Sequence, residues 1–150
     1  MTIRQAKIQD AKKLSYLIQK NAEHVEENLY TPIQRATWSA QNKPKTLKEQ
    51  LKKRKVFCAF EHNKLVGTIA LEGNLVCGMY VSYSKRGQGI GQKLLKHLEN
   101  YAKRKGLTEL ILTASPNGYG FYLKNGYKPY GKMTQEFDGI KYPEIKMKKN

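Results

Sequence analysis

Between Met79 and Leu95 the sequence reads Met-Tyr-Val-Ser-Tyr-Ser-Lys-Arg-Gly-Gln-Gly-Ile-Gly-Gln-Lys-Leu-Leu, an apolar run that passes through alternate glycines into an amphipathic segment. Such a segment asks for a strand, a sharp turn in backbone regions closed to most side chains, and a helix directly after it. Gly87, Gly89 and Gly91 lack a Cβ, so the backbone there can gather several N–H groups around one anion. The unpaired first-turn donors and positive dipole end of the helix would complete the cradle. A plain turn joining strand to helix is the alternative.

Spacing narrows the kind of cradle. The dinucleotide fingerprint G-x-G-x-x-G would need glycine at position 92 or 94, where the chain has Gln92 and Leu94. A Walker loop ends in Gly-Lys-Ser/Thr, whereas Gly91 is followed by Gln92 and Lys93. The pattern that fits is R-x-x-G-x-G, in Arg86-Gly87-Gln88-Gly89-Ile90-Gly91.

The rest of the chain alternates strand and helix signals. Thr2 to Ala6 reads as a strand, and Asp10 to Leu29 as a helix with Leu14, Leu17, Ile18 and Val25 on one side. Pro32 and Pro44 are expected to interrupt helix in the stretch from Tyr30 to Lys45. Thr46-Leu-Lys-Glu49 is a capping-box pattern that opens a helix through Lys53. Val56 to Glu61, Leu65 to Leu71 and Leu75 to Val81 are apolar runs joined by His62-Asn63-Lys64 and Glu72-Gly73-Asn74, an antiparallel meander. Leu94, Leu95, Leu98, Tyr101 and Ala102 recur at helical spacing before a stop at Gly106. Leu107 to Thr113 then reads as a strand in parallel pairing with Met79 to Val81. A short helix from Gly118 to Lys124 and closing strands Tyr127 to Lys132 and Ile140 to Met147, around Asp138-Gly139, finish the chain. The expectation is one α/β domain over residues 1–150, with a mixed sheet and no internal repeat.

Charge limits the partners: 28 Lys and Arg against 12 Asp and Glu give a formal net charge of +16. That field attracts anions and implies weak, salt-sensitive, non-specific contact with nucleic acid. Runs such as Lys52-Lys53-Arg54-Lys55 and Lys103-Arg104-Lys105 also read as a solvated lysine-rich surface. Cys58 and Cys77 are isolated in apolar runs and the three histidines are scattered, so no metal site is expected. The start does not resemble a secretion signal and no stretch approaches a membrane span, so a cytoplasmic protein is expected.

The Arg86–Gly91 loop resembles the acetyl-coenzyme A loop of the GNAT acyltransferase superfamily, and the resemblance extends beyond it. Leu65 to Leu71 looks like that family's third strand, Met79 to Val81 like the end of its fourth, and Leu112 to Tyr127 like its fifth strand and fourth helix. It implies the GNAT fold, a mixed central sheet with flanking helices, and an acetyl-coenzyme A dependent N-acetyltransferase acting on an amine by direct transfer. By the same resemblance the cofactor would lie against Met79, Tyr80, Val81, Arg86, Gly87, Gln88, Gly89, Ile90, Gly91, Gln92, Asn117, Tyr122 and Lys124. Backbone amides near Tyr80 and Val81 would receive the developing oxyanion, and Tyr122 would give a proton to the departing thiolate. A core aromatic is the other reading of Tyr122, and a turn residue that of Asn117. Gly118 departs from the alanine more usual in the family and is expected to loosen its helix start.

For the base that deprotonates the amine, Glu72 is the acid nearest in sequence to the fourth strand; a solvated turn carboxylate and a water relay are the alternatives. Acceptor specificity is expected between Glu23 and Asn42, where Glu26, Tyr30 and Trp38 offer acidic and aromatic groups to a polyamine-like, aminoglycoside-like or peptide lysine amine. A solvated helix face with Trp38 as a packing residue is the competing reading. Homodimers are common in the resembled family. The rival function is a basic binding module that keeps the fold but engages nucleic acid or an acidic protein.

Overall fold

The computed structural model describes residues 1–24 and 29–150. The strands are β1 (Thr2–Gln5), β2 (Lys55–Glu61), β3 (Lys64–Glu72), β4 (Leu75–Val81), β5 (Leu110–Ala114), β6 (Lys128–Phe137) and β7 (Ile140–Lys149). The helices are α1 (Ala11–Glu23), α2 (Pro32–Ala40), α3 (Pro44–Lys53), α4 (Ile90–Arg104) and α5 (Tyr119–Lys124). One seven-stranded sheet runs in the order β1-β2-β3-β4-β5-β7-β6. Neighbours are antiparallel except β4 and β5, the parallel pair joined through α4.

Local chemistry accounts for most junctions. His62 and Asn63 (φ 50° and 62°) join β2 to β3, and Asp138 and Gly139 (φ 50° and 78°) join β6 to β7, the left-handed pairs that two-residue hairpins need. Gly106 (φ 81°) ends α4, where its amide donates to the Lys103 carbonyl at 3.0 Å and the Leu107 amide to that of Ala102 at 3.1 Å. That closure ties Leu107 to the helix end, so β5 begins at Leu110 rather than at Leu107.

Both faces of the sheet are covered, which is why β3 is buried along almost its whole length instead of alternating. Leu94, Leu95, Leu98 and Ala102 of α4 pack on one face against Val66, Ile69, Leu71, Leu112 and Met147. On the other face Leu14, Leu17 and Ile18 of α1 and Leu47 of α3 pack against Val56, Cys58 and Ala70.

Four expectations are corrected. The first helix ends at Glu23 rather than Leu29, and it starts after a 3₁₀ turn at Ile8–Asp10 in which the Asp10 carboxylate accepts the Lys7 amide at 2.7 Å. Pro32 and Pro44 open α2 and α3 instead of interrupting helix, because a missing N–H costs nothing in the first turn. Thr31 caps α2 with Gln34 as its reciprocal partner, while Thr46 and Glu49 lie inside α3. Finally, β6 continues past Lys132 to Phe137, since the Asp138-Gly139 turn pairs it with β7 throughout. No helix among the described residues is long and apolar enough to cross a membrane.

Candidate active site

β4 and β5 pair at Leu75 and Ile111 and then diverge. A cavity of about 490 Å³ passes through the gap and runs along the α1–α3 face of the sheet. A bulge shapes its wall: Tyr80 pairs with Thr68 but Cys77 with Ala70, so β4 carries one residue more than β3, and Gly78 takes φ 58°. At the end of β4 the Ser82 amide donates back to the Val66 carbonyl at 2.8 Å, so alternation turns the preceding Val81 amide toward the gap. Asn21 Nδ2 of α1 holds the Val81 carbonyl at 2.8 Å.

The glycine loop lies at the start of α4. Gly87 and Gly89 have φ 78° and 82°, and a Cβ on either would meet nothing within 4 Å, so conformation rather than space selects glycine. Gly91 differs: its Cβ would lie 3.1 Å from Met79 Cε and 3.4 Å from Phe121 Cε1. The first α4 hydrogen bond runs from Lys93 to the Gly89 carbonyl at 3.1 Å, so Ile90, Gly91 and Gln92 amides have no helical acceptor. Arg86 lies 5.3 Å above the Tyr83 ring and also lines the cavity. These residues fit a pyrophosphate: free amides at a helix start, left-handed glycines and a cation alongside.

Tyr122 of α5 is buried between Phe121 and Tyr127 and reaches the cavity. Burial pushes its phenol pKa upward, and among the described residues no group shares a hydrogen bond with its hydroxyl. Asn117 lines the cavity, with its Oδ1 accepting the Ser115 hydroxyl at 2.7 Å. Gln92 and Lys124 are exposed and outside the cavity lining. Gly118 is the residue before α5, so the expected cost inside that helix does not arise.

Aromatic rings wall the opposite end. Trp38 Nε1 donates to the Tyr80 hydroxyl at 3.0 Å, and its ring meets Phe137 and Tyr142 edge-on at 5.6 and 5.5 Å. The Tyr142 hydroxyl donates to the Gln34 carbonyl at 2.6 Å, and Tyr30 lines the same wall. Glu144 of β7 enters this end as well: its carboxylate accepts Gln135 Nε2 at 2.6 Å, and burial raises its pKa.

The structure thus brings Met79, Tyr80, Val81, Arg86, Asn117, Tyr122, Tyr30 and Trp38 to one cavity, while Gly87, Gln88, Gly89, Ile90 and Gly91 follow Arg86 outside its lining. It does not bring Glu72 there. That carboxylate accepts Arg54 Nε at 2.9 Å beside the β3–β4 turn. Six residue steps along β4 separate its partner Leu75 from Val81, about 20 Å of strand. Glu26 lies outside the described residues, and Glu23 is exposed in an ion pair with Lys20. Tyr142 and Glu144 escaped sequence reading, although alternation after Asp138-Gly139 puts them on one face of β7.

Residues 17–150 match the acetyltransferase (GNAT) domain family, and the chain belongs to it. The class so defined is that of proteins built on the acetyltransferase (GNAT) domain. Among curated relatives, the peptidyl-lysine N-acetyltransferase YjaB of Salmonella typhimurium is 30% identical over 87 residues, 58% of this chain and 59% of that protein's length. A GCN5-related N-acetyltransferase from Rhodopseudomonas palustris superposes with a TM-score of 0.93 at 23% identity, over 99% of this chain and 94% of that one. PaiA N-acetyltransferase from Thermoplasma acidophilum, in complex with coenzyme A, gives 0.82 at 23% identity, over 99% and 97% of the two chains.

Proposed function

We propose that this protein moves an acetyl group from acetyl-coenzyme A to a primary amine by direct attack in a ternary complex. The observation that carries the reading is the cavity through the β4–β5 gap, which runs from Arg86, at the start of the glycine loop, to an aromatic and acidic end, with Tyr122 lining it. Acetyl-coenzyme A supplies the activated carbonyl. The loop amides from Gly87 to Gln92 hold the pyrophosphate, with Arg86 beside them. The Val81 amide, facing the gap, receives the oxyanion, and Tyr122 gives its proton to the departing thiolate; burial raises its pKa, so the hydroxyl is protonated at neutral pH and present as a donor.

Direct transfer is favoured because the cavity's one cysteine is a poor nucleophile. Burial raises the Cys77 pKa, and Cys58, in the core, is pushed up to about 12. The acceptor end suits an amine on a slender arm, either a peptide lysine, as the name of the Salmonella relative suggests, or a small cationic amine. A pure binding module would use neither the free loop amides nor a tyrosine hydroxyl that has no partner among the described residues.

Calorimetric titration with acetyl-coenzyme A tests the reading. Saturable one-to-one binding, lost in a Gly89→Arg/Gly91→Arg variant, is expected; absence of binding to the wild type overturns it.

A further inference from the structure

Twelve acidic residues face 28 Lys and Arg in this chain. Asp10, Glu23, Glu61, Glu72 and Glu99 each form an ion pair with one of them. Among the described residues Glu144 does not, although it is half-buried and dehydration makes an unpaired carboxylate costly. Its protein partners are neutral: Gln135 of β6 at 2.6 Å and the Thr113 hydroxyl of β5. A carboxylate has about four lone-pair sites, so acceptor capacity remains for a cation. The titratable groups facing it are Tyr30 from the connection after α1 and Tyr80 of β4, with Tyr142 two residues away on β7. Three arginines line the cavity and none forms an ion pair with Glu144 among the described residues: Arg54 holds Glu72, Arg86 stacks on Tyr83, and Arg35 of α2 has a buried Nε without a hydrogen-bond partner there.

Resting on the acetyl-transfer reading, we propose that Glu144 binds the acceptor's ammonium group and takes its proton, so that the acceptor is an amine cationic in solution and carried on an unbranched alkyl arm. The rings of Tyr30, Trp38 and Tyr142 line the approach and suit both the arm and its charge. An alkylammonium, with pKa about 10.4, must lose a proton before its nitrogen can attack. Burial moves the Glu144 carboxyl toward that task, while Gln135 and Thr113 restrain the shift and fix its orientation. In balance, R-NH₃⁺ gives one proton to Glu144, the N–C bond to the acetyl carbon forms, and the C–S bond breaks. The second nitrogen proton goes to water, the thiolate takes one from Tyr122, and water restores it. Glu144 then releases its proton, the single one set free per turnover.

The test uses coenzyme A-loaded protein titrated with Nα-acetyl-lysine amide, spermidine and the uncharged Nα-acetyl-norleucine amide. The two cations are expected to bind and the norleucine compound not to; Glu144→Gln should weaken the cations at least tenfold while leaving coenzyme A affinity unchanged. In turnover, Glu144→Gln should lower kcat/KM at neutral pH by about 100-fold, a deficit that shrinks as pH rises toward the amine's own pKa. A merely structural role gives a deficit independent of pH. Equal binding of the cations by wild type and Glu144→Gln, binding of the norleucine compound as tight as that of the lysine amide, or failure of both cations to bind would overturn the proposal. Intact coenzyme A binding in those cases leaves the acetyl-transfer reading standing, and its loss from the wild type removes that reading instead.

Discussion

Gly67→Ala tests how closely α4 must approach the sheet to hold the glycine loop. The residue lies in β3 beneath the first turns of α4. A Cβ there would sit 2.8 Å from Leu94 Cδ1, 3.1 Å from Ile90 Cγ2 and 3.3 Å from the Tyr80 carbonyl oxygen. Leu94 is 0% and Ile90 3% exposed, so neither methyl has room to swing aside, and the third contact is backbone of β4. Overpacking of this kind costs about 1–3 kcal/mol. Removing a strand glycine returns about 0.5–1 kcal/mol by restricting the unfolded chain. The net loss is centred on about 1 kcal/mol and reaches at most about 2.5 kcal/mol, which for a chain of this length lowers Tm by about 3 °C and at most about 10 °C. Gly120→Ala is the matched control: it lies in α5, its Cβ would meet nothing within 4 Å, and its φ is not positive. The same substitution there should raise Tm by about 2–3 °C. Scanning calorimetry on the two variants therefore predicts shifts of opposite sign. If Gly67→Ala raised Tm as Gly120→Ala does, α4 would not be seated on β3 at this distance, and the packing account of the loop's position would fall.

Tyr122→Phe should change stability by less than about 0.5 kcal/mol, because its hydroxyl has no protein partner among the described residues. Its kcat should nevertheless fall by about 100-fold with acetyl-coenzyme A affinity retained, and an unchanged kcat would remove Tyr122 from proton transfer. Trp38→Phe leaves the half-buried Tyr80 hydroxyl without its donor, which should cost about 1 kcal/mol in urea unfolding. Adding Tyr80→Phe should cost less than the two single changes summed, and strict additivity would deny the coupling. Asp10 accepts two bonds from the Arg4 guanidinium at 2.8 and 3.1 Å, and that pairing, above all, lowers its pKa. A depressed acid stabilises the fold above its unfolded pKa of about 3.9, and the contribution disappears as pH falls through the lower folded value. Asp10→Asn should therefore flatten the loss of stability below about pH 4, and an unchanged acid limb in unfolding titrations would contradict the pairing.

Features that depend on a few neighbouring residues are legible in the chain alone. Gly87 and Gly89 announce left-handed backbone because a requirement on φ is local, and Asp138-Gly139 announces a hairpin for the same reason. The periodicity of Leu94, Leu95 and Leu98 marks the buried face of α4 without reference to what covers it. Prolines were less readable. Pro32 and Pro44 deny helix in an interior and favour it at a first turn, and which applies depends on caps such as Thr31.

Tertiary structure alone decided where the chemistry converges. Glu72 lies nine residues before Val81 in sequence, yet an antiparallel hairpin carries the turn away from the strand's far end and leaves that carboxylate with Arg54. Glu144 lies more than sixty residues beyond Val81, and the insertion of β7 between β5 and β6 brings it to the cavity. The cavity itself comes from strands that pair at Leu75 and Ile111 and then part, a divergence set by the bulge at Gly78 and the packing on either face. Local sequence fixes backbone conformation through short-range sterics. The site arises from strand order and divergence, which are settled only when distant segments share one sheet.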